Sequence, residues 1–160
     1  MPKLIPVLIP LGAASRTSAL GFGWRPLKPP SAAMRNEDRW LAVSAHVRVD
    51  EGQWTFVDES LMESEALALI KWLRHRPWPD SANIRFIEPC LEFHARGQLG
   101  NLLSLAITFR GEVSPPWIRG DPDAVWSRGF TAAWLVDDQQ LAKFADGLHD
   151  LLARSRPKWR

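Results

Sequence analysis

From Trp40 onward the chain alternates. Leu41, Val43, Ala45, Val47 and Val49 point one way and Ala42, Ser44, His46 and Arg48 the other, which is the period-two signature of a half-buried strand. Glu51-Gly52 supplies a turn, and Trp54-Thr55-Phe56-Val57 returns as the hairpin partner. Ser60 with Glu63 has capping-box spacing and predicts a helix to about Arg76, with Met62, Ala66, Leu69, Ile70 and Leu73 on its apolar stripe and Pro77 and Pro79 as stops. Short strands follow over 84–87 and 91–95, with Pro89 between them marking an edge or bulge and 97–101 a turn. Leu103, Leu105, Ile107 and Phe109 predict a core strand, 111–120 a loop around Pro115-Pro116-Trp117, and 125–135 contains a further strand with Phe130, Ala132 and Trp134 on one face. Asp137 and Gln140 cap a last helix, to about Arg154, whose Leu141, Phe144, Ala145, Leu148, Leu151 and Leu152 repeat at helical spacing. The order ββα-ββββ-α with hairpin links predicts an α+β fold: an antiparallel β-sheet with two amphipathic helices packed on it, in a single domain.

Residues 1–33 break this regularity. They hold Pro2, Pro6, Pro10, Pro26, Pro29 and Pro30 and three glycines, and show no period. The apolar run from Leu4 to Leu11 contains two prolines, which disfavours the helical core of a secretory signal, and it is short for a membrane span. The expectation is a loose leader, or an over-extended start with Met34 or an earlier codon as the true one, followed by a folded domain over 34–160.

Charge sharpens the division. The formal net charge is +2, yet residues 1–36 and 151–160 carry nine basic groups and no acid, leaving 11 basic against 18 acidic groups in residues 37–150. An acidic body with basic ends argues against nucleic acid as a partner. The single cysteine, Cys90, excludes an internal disulfide and a Cys-rich zinc site, and agrees with a cytoplasmic location.

The most suggestive chemistry is Glu88, Cys90, Glu92 and His94, which at strand spacing would share one face opposite Leu91, Phe93 and Ala95. A carboxylate, thiol and imidazole so aligned can bind a metal or support a Cys–His nucleophile. A solvent-facing strand shows the same polar row, however, and Pro89 interrupts it. His46, His75 and His149 have no ligand-like spacing, and there is no phosphate-cradling glycine loop, nucleophile elbow or His-Glu-x-x-His. The expectation is no enzyme, no cofactor and no metal. Binding is better served: Trp72, Trp78, Trp117 and Trp126 fall at helix ends or in loops, and exposed aromatics mark binding surfaces. Trp117, stiffened by its prolines, and the acids Asp121, Asp123, Asp137 and Asp138 are the candidate partner-binding residues.

Together, Asp38-Arg39-Trp40-Leu41, the helix ending Lys71-Trp72-Leu73, the stretch Glu88-Pro89-Cys90-Leu91-Glu92-Phe93, Glu112 with Pro115-Pro116-Trp117, and the terminal Leu-rich helix resemble the WapI family of immunity proteins over roughly residues 20–158. Arg156-Pro157-Lys158 stands where the family has Phe-Pro-x-Arg. The resemblance implies a small bacterial cytoplasmic protein that binds and neutralises the toxic C-terminal domain, often a nuclease, of a cell-contact toxin, with no catalytic residues to carry over. The alternative is a non-catalytic binding or scaffold domain with an unrelated partner.

Overall fold

The computed structural model describes residues 6–27, 38–75 and 82–155. The expected helix stops at Pro77 and Pro79, the side chain of Trp78 and the basic tail from Arg156 lie outside them.

Eight strands form two four-stranded antiparallel sheets, each a simple meander and each followed directly by a helix. Sheet A contains β1 (Ile9–Pro10), β2 (Ala19–Pro26), β3 (Trp40–Val49) and β4 (Gly52–Met62), and leads into α1 (Glu63–Arg74). Sheet B contains β5 (Asn83–Arg85), β6 (Leu91–Leu99), β7 (Leu102–Phe109) and β8 (Phe130–Asp137), and leads into α2 (Asp138–Ser155). The fold is α+β as the pattern predicts, with two sheets rather than one. A continuous core joins both sheets and both helices, and no helix among the described residues is long and apolar enough to cross a membrane.

The expectation of a loose leader is corrected for the residues that are described. Ala19 to Pro26 pair along their whole length with β3, from Ala19 opposite Arg48 to Pro26 opposite Leu41. Leu11, Leu20, Phe22 and Trp24 are buried. Phe22 meets Trp24, Phe93 and Phe144 edge-on at centroid distances of 6.0, 5.8 and 6.5 Å, and so touches β6 and α2 as well as its own strand. The leader hid its strand because small residues (Ala19, Gly21, Gly23) replace the polar half of the alternation. They allow close packing: a Cβ on Gly23 would stand 2.1 Å from the Val7 carbonyl oxygen and 3.2 Å from the Leu151 side chain of α2.

Both helices carry the predicted stripes. Ala66, Leu69, Ile70 and Leu73 of α1 are buried, as are all six predicted positions of α2. The first helix starts later than the Ser60/Glu63 spacing suggests. Leu61 is fully buried opposite Leu41, so the strand runs on to Met62 and keeps Ser60 inside it. The cap is built from elsewhere: the Met62 N–H donates to Glu65 Oε1 at 3.0 Å and the Ser64 N–H to Asp38 Oδ1 at 2.9 Å, while Arg39 pairs with Glu63 at 2.9 Å. At α2 the predicted reciprocal cap is present, with the Gln140 N–H donating to Asp137 Oδ1 at 2.7 Å and the Asp137 N–H to Gln140 Oε1 at 3.0 Å.

Candidate partner-binding surface

Between β7 and β8 the chain makes three short turns, Gly111–Val113 and Pro116–Ile118 in 3-10 form and Ala124–Arg128 as a π turn closed by the Gly129 N–H on the Ala124 carbonyl at 2.7 Å. The segment is pinned from beneath. Trp54 of β4 donates its indole N–H to the Val113 carbonyl at 3.0 Å, the Ser114 hydroxyl bonds the Gly111 carbonyl at 2.6 Å, and Arg119 donates twice to the Ser114 carbonyl, at 2.9 and 3.2 Å. A loop so held has little conformational freedom left to lose on contact with another surface.

Two indoles stand on this base. Trp117 is 41% exposed, and its ring meets Trp54 and Phe130 edge-on at 5.4 and 5.6 Å. Trp126 is 53% exposed and lies across Gly111, where a Cβ would come within 2.7 Å of two ring atoms and where φ is +59°. Only glycine meets both demands. The sequence pointed to both tryptophans by context, but the close fit of Trp126 on Gly111 has no short-range signal.

The candidate acids are placed unequally. Asp121 and Asp123 are exposed, and both pair with Arg128 at 3.2 and 3.3 Å, so much of their charge is compensated locally. Asp137 is half-buried in the α2 cap, and Asp138 is exposed beside it. Trp117, Asp121 and Asp123 belong to one segment, whereas Asp137 and Asp138 lie at the far end of β8 from Phe130. Two further exposed acids, Asp50 and Glu51, which no motif in the sequence marks, directly precede Gly52, on which the Trp117 ring edge rests.

The row Glu88, Cys90, Glu92 and His94 is split. The strand begins only at Leu91, so Glu88 is an exposed turn residue and Cys90 turns inward, while Glu92 and His94 keep a common face. Glu92 is not solvent-facing as expected. It is 4% exposed beneath Arg85, Arg110 and Asn83, which donate to it at 3.0, 3.1 and 3.1 Å. Burial alone would raise its carboxyl pKa; those hydrogen bonds and the nearby His94 outweigh burial and hold it below the usual value. His94 bonds Thr108 at 3.1 Å, and Thr108 bonds Thr131 at 2.7 Å, so the polar row crosses the sheet as far as β8.

Cys90 donates to Glu112 Oε2 at 3.6 Å. Burial first, then the carboxylates of Asp58, Glu112 and Glu88, push its thiol from 9.0 up to about 12. A thiol so protonated is a poor nucleophile at neutral pH. Asp58, Cys90 and Glu112, from three separate segments, place potential ligand atoms within 4.8 Å of one another, the one such group among the described residues. Metal binding there would require the thiol to lose its proton against that bias. His46, His75 and His149 remain on separate elements: β3, the end of α1, and α2.

The motifs behind the resemblance now have positions. Asp38 and Arg39 organise the start of α1, Leu91 and Phe93 are core, and Pro115 is buried beneath the exposed Trp117. No curated protein and no solved structure matches the chain. The family profile described as immunity protein WapI-like matches residues 25–155, and the chain belongs to that family.

Proposed function

We propose that this chain neutralises a toxin by binding it. Its partner is the toxic C-terminal domain, often a nuclease, of a cognate bacterial cell-contact toxin, and it acts in the cytoplasm with no catalytic step, cofactor or nucleic acid of its own. Family membership supports the general role. The observation that carries the binding mode is Trp117, an exposed indole braced from behind by Trp54 and Phe130 on a pinned loop. Rigid aromatics of this kind anchor interfaces, because little freedom is lost on contact and the ring buries a large apolar area.

The formal charge of −7 over residues 37–150 suits a partner with a basic nucleic-acid groove. Asp121, Asp123, Asp137 and Asp138 contribute to it, three of them also held by Arg128 or by the α2 cap. The proposal expects a toxin gene next to this one, and the test is co-expression with the C-terminal domain encoded there. Rescue of growth, and a one-to-one complex by calorimetry, are expected. Normal toxicity in the presence of abundant folded chain would refute the role.

A further inference from the structure

Among the described residues the two sheets have four edge strands, β1, β4, β5 and β8. An unpaired edge invites another strand, and proteins blunt such edges by shortness, proline, charge or cover. β1 has two residues and contains Pro10, and β5 has three and carries Arg85. β4 contains Asp58 and Glu59 and is crossed by the turn that Trp54 pins. β8 lacks the first three of these devices along residues 130–136. It has eight residues, its residues 130–136 hold no charge and no proline, and its pairing with β7 runs without a register shift.

The ladder fixes which groups β8 offers. The Arg110 N–H donates to the Cys90 carbonyl at 2.8 Å, so even-numbered residues along β7 bond toward β6 and odd-numbered ones toward β8. Leu103, Leu105, Ile107 and Phe109 therefore bond Val136, Trp134, Ala132 and Phe130. Thr131, Ala133 and Leu135 turn their N–H and carbonyl groups to the free side, and all three are exposed, Leu135 to 60%. A groove of about 330 Å³ lies there. One wall is residues 130–133 and the other is Val49, Asp50 and Glu51 with Thr17 and Ser18 beside them; no β7 residue lines it, as befits the unpaired side.

We propose that the β8 edge accepts an extended segment of the partner protein as a fifth strand of sheet B, with a Lys or Arg of that segment against Asp50 and Glu51. This deepens the toxin-binding reading and rests on it. Three outward-facing backbone positions supply the ladder, as in other strand-addition complexes. The groove is walled by two carboxylates and no base, and the acids Asp137 and Asp138 close the far end of the strand. That charge selects against a second copy. Two copies joined edge to edge about a two-fold perpendicular to β8 would run antiparallel and bring Asp137 and Asp138 of one toward Asp50 and Glu51 of the other. Trp117 packs on both Phe130 and Gly52, so the aromatic anchor and the edge form one continuous surface.

The experiment uses the toxin domain encoded beside this chain, with calorimetry and amide hydrogen exchange. Ala133→Pro removes an outward donor without touching the β7 ladder, so the isolated variant should melt near the unaltered chain yet bind the toxin at least about tenfold more weakly. Asp50→Lys with Glu51→Lys should weaken binding comparably. In the unaltered complex, the amides of Thr131, Ala133 and Leu135 should become protected from exchange, a reading that does not depend on either variant folding. Tight binding by the unaltered chain with those amides still exchanging freely would overturn the strand-addition proposal and leave the toxin-binding role standing. No binding by the unaltered chain would overturn both. A dimer of the free chain abolished by Ala133→Pro would assign the edge to a second copy. Protection in the free chain that is lost on removing residues 156–160 would assign it to the chain's own basic tail. Either result overturns the proposal.

Discussion

Phe22 and Phe93 meet edge-on with centroids 5.8 Å apart, and through that contact a strand near the start of the chain is locked to the second sheet. Both rings are fully buried. Phe22 lies ahead of the family match, which begins at residue 25, yet it touches core residues inside it.

Phe22→Ala should therefore cost about 3–5 kcal/mol of stability, the usual loss when a buried phenyl ring leaves a cavity. Thermal melting followed by circular dichroism measures it. Removing residues 1–12 should also lower the melting temperature, because Leu11 is buried and Ile9 packs on Gly147. An unchanged melting temperature in both variants would mean that this segment does not pack on the core.

A thiol pushed up to about 12 should react slowly. Native Cys90 should resist alkylation at pH 8 that modifies it promptly in the unfolded chain, and Glu112→Gln should speed the reaction by removing one of the repelling carboxylates. The folded pKa is raised, so the stability linked to this group is present below its ordinary 9.0 and is lost as pH rises from there toward about 12. Chemical denaturation at pH 8 and pH 10.5 should show lower stability at the higher value, with a smaller drop in Cys90→Ala. Prompt alkylation of the native chain would contradict the burial.

Glu92 titrates in the opposite sense. Its folded pKa is depressed, so its contribution is present above the ordinary glutamate range and is lost as pH falls through the folded value. Glu92→Ala should cost about 2–3 kcal/mol at pH 7 and should flatten the acid side of the stability profile, a range discounted for the exposure of its partner Arg85. A variant as stable as the unaltered chain at pH 7 would show that the carboxylate does not hold the face of sheet B together.

At the loop surface, Trp117→Ala should weaken toxin binding by about 2 kcal/mol or more while changing stability less, since the ring is part exposed. Asp121→Lys with Asp123→Lys should act mainly on the association rate, and raising salt to about 0.5 M should slow association of the unaltered chain about tenfold with a smaller change in the off-rate. Stopped-flow fluorescence separates the two rates. A salt-independent association rate would remove the charge-steering half of the proposed function, and full-strength binding by Trp117→Ala would remove the aromatic half.

What the chain made legible follows from periodicity. The stripes of α1 and α2, the strand from Leu102 to Phe109 and the Asp137–Gln140 cap are all local patterns, and all are present. Three features lay beyond local reading. The second strand is masked by glycines that let distant segments approach, and Gly23 with Leu151 is such a contact across more than a hundred residues. The burial of Glu92 depends on Arg85 and Arg110 arriving from neighbouring strands. The division into two sheets is decided by which strands fail to pair, and alternation within a strand is silent about that. The proposed binding residues were half legible: Pro115-Pro116 signalled a stiff loop for Trp117, while the pairing of Asp121 and Asp123 with Arg128 depends on the π turn that carries Arg128.

That π turn makes the surface above it sensitive to chain length. The bond from Gly129 back to Ala124 spans one residue more than an α turn needs. Deleting a single residue between them would close an ordinary turn and rotate the indole of Trp126 by roughly 100° about the local axis. The strands on either side would keep their register, because the change is absorbed before Phe130. A one-residue insertion or deletion here would thus change the surface that Trp126 presents and leave the β7–β8 ladder in place.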